Sequence, residues 1–273
     1  MLGAIAGDII GSVYEAAPIK TTEFPLFGRR STFTDDTVLT VATAEAILAG
    51  EDYAAAYRRL ARAHPQRGFG GSFRHWFRRD DAPPYGSWGN GSAMRVSPVG
   101  WAFDSETAVL QEAGKSAAVT HNHPEGIKGA QATALAVYLA RSGGNREDIR
   151  KTVAGRFGYD LDRRLAAIRP GYAFRISCQE TVPEALICFL EARDFESTVR
   201  NAVSLGGDSD TLACIAGSVA EAFFGRLPER IQQDVMPRLP ESFQGVVRSF
   251  AAAHLPWDYP LRAIRPSDSG RRR

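Results

Sequence analysis

Two short acidic segments, TDDT at 34–37 and DSDT at 208–211, contain the residue types best suited to chemistry in this sequence. Each places two carboxylates and a threonine hydroxyl immediately before a run of small apolar residues that is typical of a helix. The unpaired N–H groups and the positive dipole end at a helix N-terminus favour such acids. A single copy of this pattern is more typical of a helix cap than of a metal site.

The presence of two copies favours a metal site, provided that the two segments converge in the fold. Two ionised carboxylates ~5 Å apart repel each other by roughly 3 kcal/mol at an effective dielectric constant of ~20. Asp35, Asp36, Asp208 and Asp210 must therefore take up protons or bind cations if they meet. Two divalent ions would balance their charge, and ligands that are all oxygen favour Mg²⁺, followed by Mn²⁺ or Ca²⁺.

The segment SWGNGSAMR at 87–95 is a second candidate for ligand binding. Consecutive glycines and small residues let backbone N–H groups point into one concavity that suits a phosphate, and Arg95 would add positive charge. Glycine-rich turns that bind no ligand are also common, so both interpretations stay open on this pattern alone.

Two histidines lie in the segment THNHPEG at 120–126, which opens the longest apolar helix candidate. His121 and His123 are two residues apart and do not share a helix face, and no nearby cysteine completes a tetrahedral zinc site. We expect one imidazole to hydrogen-bond a ligand or a loop and the other to cap the structure, with His121 as the ligand-binding residue.

Helices are the elements expected to position these residues, because few segments alternate with a period of two. The pattern predicts a compact, nearly all-α fold. The expected helices cover residues 2–14, 37–49, 52–63, 105–118, 124–141, 146–157, 181–192, 195–205, 209–224, 228–235 and 241–254.

The first helix carries Gly3, Gly7 and Gly11 at a spacing of four, which gives one smooth stripe that a neighbouring backbone can approach closely. Asp8 in the same helix is expected to be a buried, hydrogen-bonded acid. Glu15 lies at its end, where either a solvated terminus or a functional group would suit the pattern.

The segment 67–97 is interrupted by six glycines and by aromatic residues, and we expect it to be a long loop. Such a loop within a helical domain lines a site more often than it fills space.

The composition is ordinary for a soluble globular protein: 273 residues, 44% of them hydrophobic and 23% charged. We place one domain at 1–262 and a disordered tail at 263–273. A net charge of +2 gives no electrostatic argument for a nucleic-acid partner. No heptad repeat or large apolar stripe is visible, so we expect a monomer.

Three cysteines, Cys178, Cys188 and Cys214, have no paired spacing and lie in apolar surroundings. We therefore expect reduced, buried thiols and a cytoplasmic location. The first residues lack the basic region of a signal peptide, and no apolar run approaches the ~20 residues of a membrane span, so no membrane partner is expected.

Five segments taken together resemble one family of enzymes. They are GDIIGSVYE at 7–15, FTDDT at 33–37, GNGSAMR at 89–95, THNHPEG at 120–126 and LGGDSDT at 205–211. In this order they resemble the ADP-ribosylglycohydrolases, the family of the dinitrogenase reductase activating glycohydrolase. The resemblance covers roughly residues 1 to 226, and the combination of the two acidic segments is its most specific part.

The resemblance implies an all-α orthogonal helical bundle with a binuclear magnesium centre, in which Mn²⁺ is a possible substitute. The implied metal ligands are Thr34, Asp35, Asp36, Asp208, Asp210 and Thr211. Glu15 corresponds to a glutamate beside the metals, and we expect Glu15, Asp35 and Asp210 to be essential for catalysis. The loop Gly89, Asn90, Gly91 and Ser92 would hold ADP-ribose, and His121 would lie near the diphosphate or ribose.

The implied activity is hydrolysis of the glycosidic bond between ADP-ribose and an acceptor, either a protein side chain, a nucleic acid or a small molecule. Cleavage at the anomeric carbon passes through an oxocarbenium-like state, and vicinal ribose hydroxyls are good ligands for hard cations. We expect metals to orient the distal ribose and a water, while Glu15 transfers a proton to the leaving group or from that water.

Two other functions fit part of the pattern. Paired acids also bind metals in two-metal phosphoester or pyrophosphate hydrolases, which would release AMP or phosphate instead of ADP-ribose. A catalytically silent ADP-ribose-binding relative would bind the ligand without turnover. The presence of every acidic position named above favours retained catalysis.

Overall fold

The regular structure of this computed structural model, which describes residues 1–257, is helical apart from one isolated antiparallel bridge between Gly89 and Ser177. The prediction of an all-α fold is confirmed. The tail expected at 263–273 and the last residues of the expected domain lie outside the described residues.

The helices of the described chain are α1 (Leu2–Gly11), α2 (Asp35–Ala49), α3 (Tyr53–Ala63), α4 (Gly71–Arg78), α5 (Gly91–Met94), α6 (Ser97–Ala102), α7 (Glu106–Ala118), α8 (Pro124–Arg141), α9 (Arg146–Phe157), α10 (Leu165–Ile168), α11 (Cys178–Leu190), α12 (Phe195–Val203), α13 (Ser209–Phe224), α14 (Glu229–Val235), a 3₁₀ turn (Met236–Arg238) and α15 (Glu241–His254).

Local sequence signals explain where several of these helices begin and end. The side chains of Asp52, Ser105 and Asn145 accept hydrogen bonds from the first turns of α3, α7 and α9, as N-cap residues do. Gly50 ends α2 with a φ of 63°, and Gly158 ends α9 with a φ of 69°, in the left-handed region that glycine tolerates.

Helices α1 and α13 pack against each other at the centre of the molecule. A Cβ added at Gly3, Gly7 or Gly11 would overlap the backbone of α13, so the expected close approach of a neighbouring backbone is confirmed. All of α1 is buried, and so are the residues of α13 from Ser209 to Ala222. This pair therefore fixes the position of the segments at its ends, which carry the acidic residues.

Several expectations about the elements were wrong, and among the expected helices the bounds of α11 and α1 differ the most. Helix α11 begins at Cys178 instead of 181, because Ser177 accepts the N–H of Glu180 at 3.2 Å and caps the helix earlier, with Pro183 inside it. Helix α1 ends at Gly11 rather than at residue 14.

The segment 67–97 is not a continuous loop. It contains α4, in which Phe73, Trp76 and Phe77 form one buried face, and the short helix α5. The glycines on either side of α4 concealed this amphipathic spacing in the sequence. Two further short helices, α6 and α10, were also not expected.

The three cysteines are free and buried, as expected. Among residues 1–257, no helix combines the length and the apolar character needed to cross a membrane.

Candidate active site

The first acidic turn is held in place by Asp8, a fully buried residue of α1. Its carboxylate accepts hydrogen bonds from the N–H (3.0 Å) and hydroxyl (2.8 Å) of Thr34, and from the N–H (3.1 Å) and hydroxyl of Thr37. Thr34 is the N-cap of α2, and its hydroxyl oxygen accepts the N–H of Asp36 at 3.3 Å. Asp8 is therefore the buried, hydrogen-bonded acid that its position indicated, and it fixes the start of α2.

The second acidic turn depends on two glycines. Gly206 has a φ of 65°, and a Cβ on Gly207 would overlap the ring of Tyr172. The turn that they allow makes Asp208 the N-cap of α13, and Asn90 Nδ2 donates a hydrogen bond to Asp208 Oδ2 at 2.8 Å.

The two turns converge at the ends of α2 and α13. The hydroxyl of Thr211 donates to Asp36 Oδ2 at 3.4 Å. Glu15, which follows α1, lies beside the second turn, because ligand atoms of Glu15, Asp208 and Asp210 lie within 4.8 Å of one another.

The predicted metal ligands and Glu15 line one cavity of about 600 Å³. The residues are Glu15, Thr34, Asp35, Asp36, Asp208, Asp210 and Thr211. The structure thus brings together side chains that the sequence assigned to one centre.

The carboxylates of this cluster are buried and lie close to one another, and both conditions raise their pKa values. Burial, followed by repulsion from neighbouring carboxylates, raises the pKa of Asp35 to about 8 and raises the pKa values of Asp36 and Asp210 well above the usual range. Burial also raises the pKa of Asp208. Glu15 is exposed, yet its pKa is raised by partial burial and by the charge of Asp208.

The donor set fits divalent cations. Oδ1 of Asp36 is buried and has no hydrogen-bond partner in the described part of the chain. None of the ion pairs found among residues 1–257 involves the clustered acids, and the two with a buried carboxylate are at Glu221 and Glu184. Without such ion pairs the clustered acids must bind protons or a cation, and carboxylate and hydroxyl oxygens favour a hard ion when a cation is bound.

The glycine-rich segment forms a second wall of the cavity. Asn90 donates its N–H to the carbonyl of Ile176 at 2.7 Å, and Cys178 donates its N–H to the carbonyl of Trp88 at 3.0 Å. Gly89, Asn90 and Gly91 line the cavity. Ser92 lies behind the wall, fully buried, and its hydroxyl donates to the carbonyl of Gly126 at 2.7 Å.

The two histidines have different positions, as expected. His123 caps α8, because its Nδ1 accepts the N–H of Glu125 at 3.1 Å. His121 is 6% exposed and lines the cavity beside Gly89 and Gly91. The predicted cap is confirmed for His123, and His121 lies where a ligand would meet it.

Sequence reasoning missed three apolar residues on the cavity rim: Trp88, Phe174 and Ile176, which are 45%, 50% and 53% exposed. Large apolar side chains at such exposure are typical of binding surfaces. Trp88 was the one sequence feature that could have indicated this rim, since a solvent-exposed glycine-rich turn does not require an aromatic residue. The segment that carries the other two shows no comparable pattern.

Comparison with known proteins gives the class of this site. The family model described as ADP-ribosylglycohydrolase matches residues 1–257. A solved structure titled "ADP-ribosylglycohydrolase-related protein complex" superposes with a TM-score of 0.71 and 26% identity, over 92% of this chain and 95% of that one. The chain therefore belongs to the ADP-ribosylglycohydrolase family, as its motifs indicated.

The relatives indicate which kind of enzyme the chain is. ADP-ribosylhydrolase ARH3 of Mus musculus is 29% identical over 316 residues, which is 85% of each chain, and that of Homo sapiens is 29% identical over 85% of this chain and 87% of its own. ADP-ribosylarginine hydrolase Tri1 of Pseudomonas putida (strain GB-1) is 26% identical over 50% of this chain and 38% of its own. The protein is an ADP-ribosylglycohydrolase, an enzyme that hydrolyses a glycosidic bond of ADP-ribose.

Proposed function

We propose that the protein is a magnesium-dependent hydrolase that cleaves the bond between the distal ribose of ADP-ribose and an acceptor, and releases free ADP-ribose. The observation that carries this proposal is that Glu15 and the acids of both turns line one cavity of about 600 Å³, with ligand atoms of Glu15, Asp208 and Asp210 within 4.8 Å of one another. Cavities of ~300 to ~1,000 Å³ are typical of small-molecule sites, and ADP-ribose is a ligand of suitable size.

The residues that would hold two Mg²⁺ ions are Thr34, Asp35, Asp36, Asp208, Asp210 and Thr211, with Mn²⁺ as a substitute. Their oxygens, their mutual repulsion and the unpartnered Oδ1 of Asp36 support this assignment. Such ions, when bound, would neutralise the carboxylates and would supply Lewis acidity to ribose hydroxyls and a water. Asp35 in the first acidic turn and Asp210 in the second would thus both be essential for catalysis, as metal ligands.

Glu15 is proposed to exchange the proton of the reaction. It is the exposed acid of the cluster, and burial and the charge of Asp208 raise its pKa, which favours a carboxyl group that can hold and release a proton during the reaction. It would transfer that proton to the leaving group or from the attacking water, the two steps that glycosidic hydrolysis requires of a carboxyl group.

The remaining walls of the cavity suit the rest of ADP-ribose. The wall of Gly89, Asn90 and Gly91 allows a close approach to the diphosphate, and His121 provides a ring nitrogen beside it. The exposed rings of Trp88 and Phe174 offer apolar faces on which an adenine ring can stack.

The experiment that tests the proposal is product analysis. The enzyme is incubated with arginine-linked, serine-linked and nucleic-acid-linked ADP-ribose, each with Mg²⁺ and with EDTA. We expect free ADP-ribose from at least one linkage and only with the metal. AMP or inorganic phosphate as the product would favour a two-metal phosphoester or pyrophosphate hydrolase, and ADP-ribose binding without turnover would favour a silent relative.

A further inference from the structure

One residue of the cavity lining, Arg95, is a buried cation that forms no ion pair with a carboxylate of residues 1–257. Arg95 is fully buried, and its guanidinium stacks 4.4 Å from the ring centroid of Tyr57. Its Nη2 donates to the carbonyl of Ser116 at 2.9 Å and to the hydroxyl of Thr120 at 3.0 Å, while its Nε and Nη1 have no hydrogen-bond partner within residues 1–257. An uncompensated buried charge is costly, so this arrangement requires a functional reason.

Thr120 connects this cation to the imidazole in the cavity wall. Its hydroxyl lies 2.8 Å from Nδ1 of His121. An arginine N–H only donates, so Arg95 occupies a lone pair of the hydroxyl and leaves its hydrogen for another acceptor. The positive charge on this side favours the imidazole tautomer whose unprotonated Nδ1 faces Thr120 and whose proton is on Nε2.

The other ring nitrogen of His121 faces the ligand cavity. A Cβ added at Gly91 would lie 3.1 Å from Nε2, and no hydrogen bond within residues 1–257 uses that atom. The ring of Tyr85 is 6.0 Å away. Burial, with a further contribution from the charge of Arg95, lowers the pKa of His121 well below its ordinary value. The ring is therefore neutral near pH 7 and presents an N–H to the cavity.

We propose that Arg95 and Thr120 are positioning residues that hold His121 as a neutral Nε2–H donor for the anionic part of the ligand. With ADP-ribose as ligand, that part is the diphosphate, and this step rests on the proposed function. The charge of Arg95 favours an anion in the cavity and favours the tautomer in which the unprotonated Nδ1 faces Thr120. This positioning role is additional to the positive charge that the sequence predicted Arg95 would bring to the cavity, which Arg95 lines.

The first test is nuclear magnetic resonance of the ligand-free enzyme, with ¹⁵N-labelled histidine. We expect wild-type His121 to show the Nε2–H tautomer and not to titrate as the pH falls through about 6.5, the ordinary histidine value. Thr120→Val should populate the Nδ1–H tautomer, and Thr120→Ser, which keeps the hydroxyl, should restore Nε2–H. An Nδ1–H tautomer in the wild type, or an ordinary titration, would overturn the proposal.

The second test separates the charge of Arg95 from its shape. Arg95→Met should raise the pKa of His121 towards its ordinary value and weaken ADP-ribose binding by about tenfold, whereas Arg95→Lys should keep that pKa low. Thermal unfolding identifies any variant that fails to fold. If Arg95→Met leaves both the titration and the affinity unchanged, the proposal is wrong. A wild type with the expected tautomer but no affinity for ADP-ribose would instead contradict the proposed function.

Discussion

The hydroxyl of Thr211 lies 3.4 Å from Oδ2 of Asp36, and this contact joins the two acidic turns across 175 positions of the chain. Each residue belongs to the first turn of its helix, α13 or α2, where negative charge is favoured. The positions of these helix ends depend on the packing of α1 against α13 and on the hydrogen bonds of Asp8. The helix packing, the hydrogen bonds of Asp8 and the acidic cluster can each be tested separately.

The hydroxyl of Thr37 should contribute measurably to stability because it donates to the buried carboxylate of Asp8. Thr37→Val keeps the shape and removes the donor, so we expect the free energy of unfolding to fall by about 1–3 kcal/mol in chemical denaturation. Thr133→Val is the matched control, since the hydroxyl of Thr133 is buried and has no partner among the residues that the structure describes, and its loss should be neutral or stabilising. Equal losses in both variants would mean that the hydrogen bonds of Asp8 do not hold the turn.

The close contact between α1 and α13 should not tolerate one methyl group. A Cβ at Gly7 would overlap the backbone of Ala213, so we expect Gly7→Ala to destabilise the protein by about 1–3 kcal/mol and to lower Mg²⁺ affinity. Gly155→Ala, in α9, places its methyl in open space and should stabilise by about 0.5–1 kcal/mol. Urea denaturation measures both, and a Gly7→Ala variant as stable as the wild type would contradict the packing.

The metal-free enzyme should lose stability as the pH rises. The folded-state pKa of Asp35 is raised from 3.8 to about 8, and that of Asp8 from 3.8 to about 6. A raised folded-state pKa means that the native state binds the proton more tightly, so this contribution is complete below the unfolded-state value and disappears as the pH passes the folded-state value. We expect the Tm in EDTA to fall between about pH 5 and pH 8.

Added Mg²⁺ should reverse that loss, because an ion that binds only the folded state stabilises it. The comparison is a pair of thermal melts at each pH, one in EDTA and one in excess Mg²⁺. A Tm in EDTA that rises steadily over this range would show that the acids are not held in the crowded, buried state described above.

The sequence predicted much of the fold because its signals are local. Asn145 and Gly50 mark a helix start and a helix end through their own side-chain and backbone chemistry, and both occur where expected. The spacing of Gly3, Gly7 and Gly11 indicated a close helix contact. It did not identify α13 as the partner, since that depends on packing between segments distant in the chain.

The same limit applies to the site. The types of the acidic residues indicated a metal centre, but their convergence depends on α1 and α13, and the burial of Ser92 depends on the carbonyl of Gly126. The sequence does not indicate that Arg95 acts on His121 through Thr120, because the hydroxyl of Thr120 that Arg95 hydrogen-bonds is 25 positions away in the chain. Side chains that act through a third residue are not visible in motif spacing.

The central claim is that both acidic turns together bind divalent ions. Isothermal titration calorimetry of Mg²⁺ into the metal-free enzyme tests this claim most directly. The variants are Asp35→Asn in the first turn and Asp210→Asn in the second. The control is Asp80→Asn, because Asp80 is an exposed aspartate paired with Arg62. We predict that the wild type and the control bind Mg²⁺ alike and that each turn variant loses affinity by at least about tenfold. No binding by the wild type, or wild-type affinity in either turn variant, would contradict the claim.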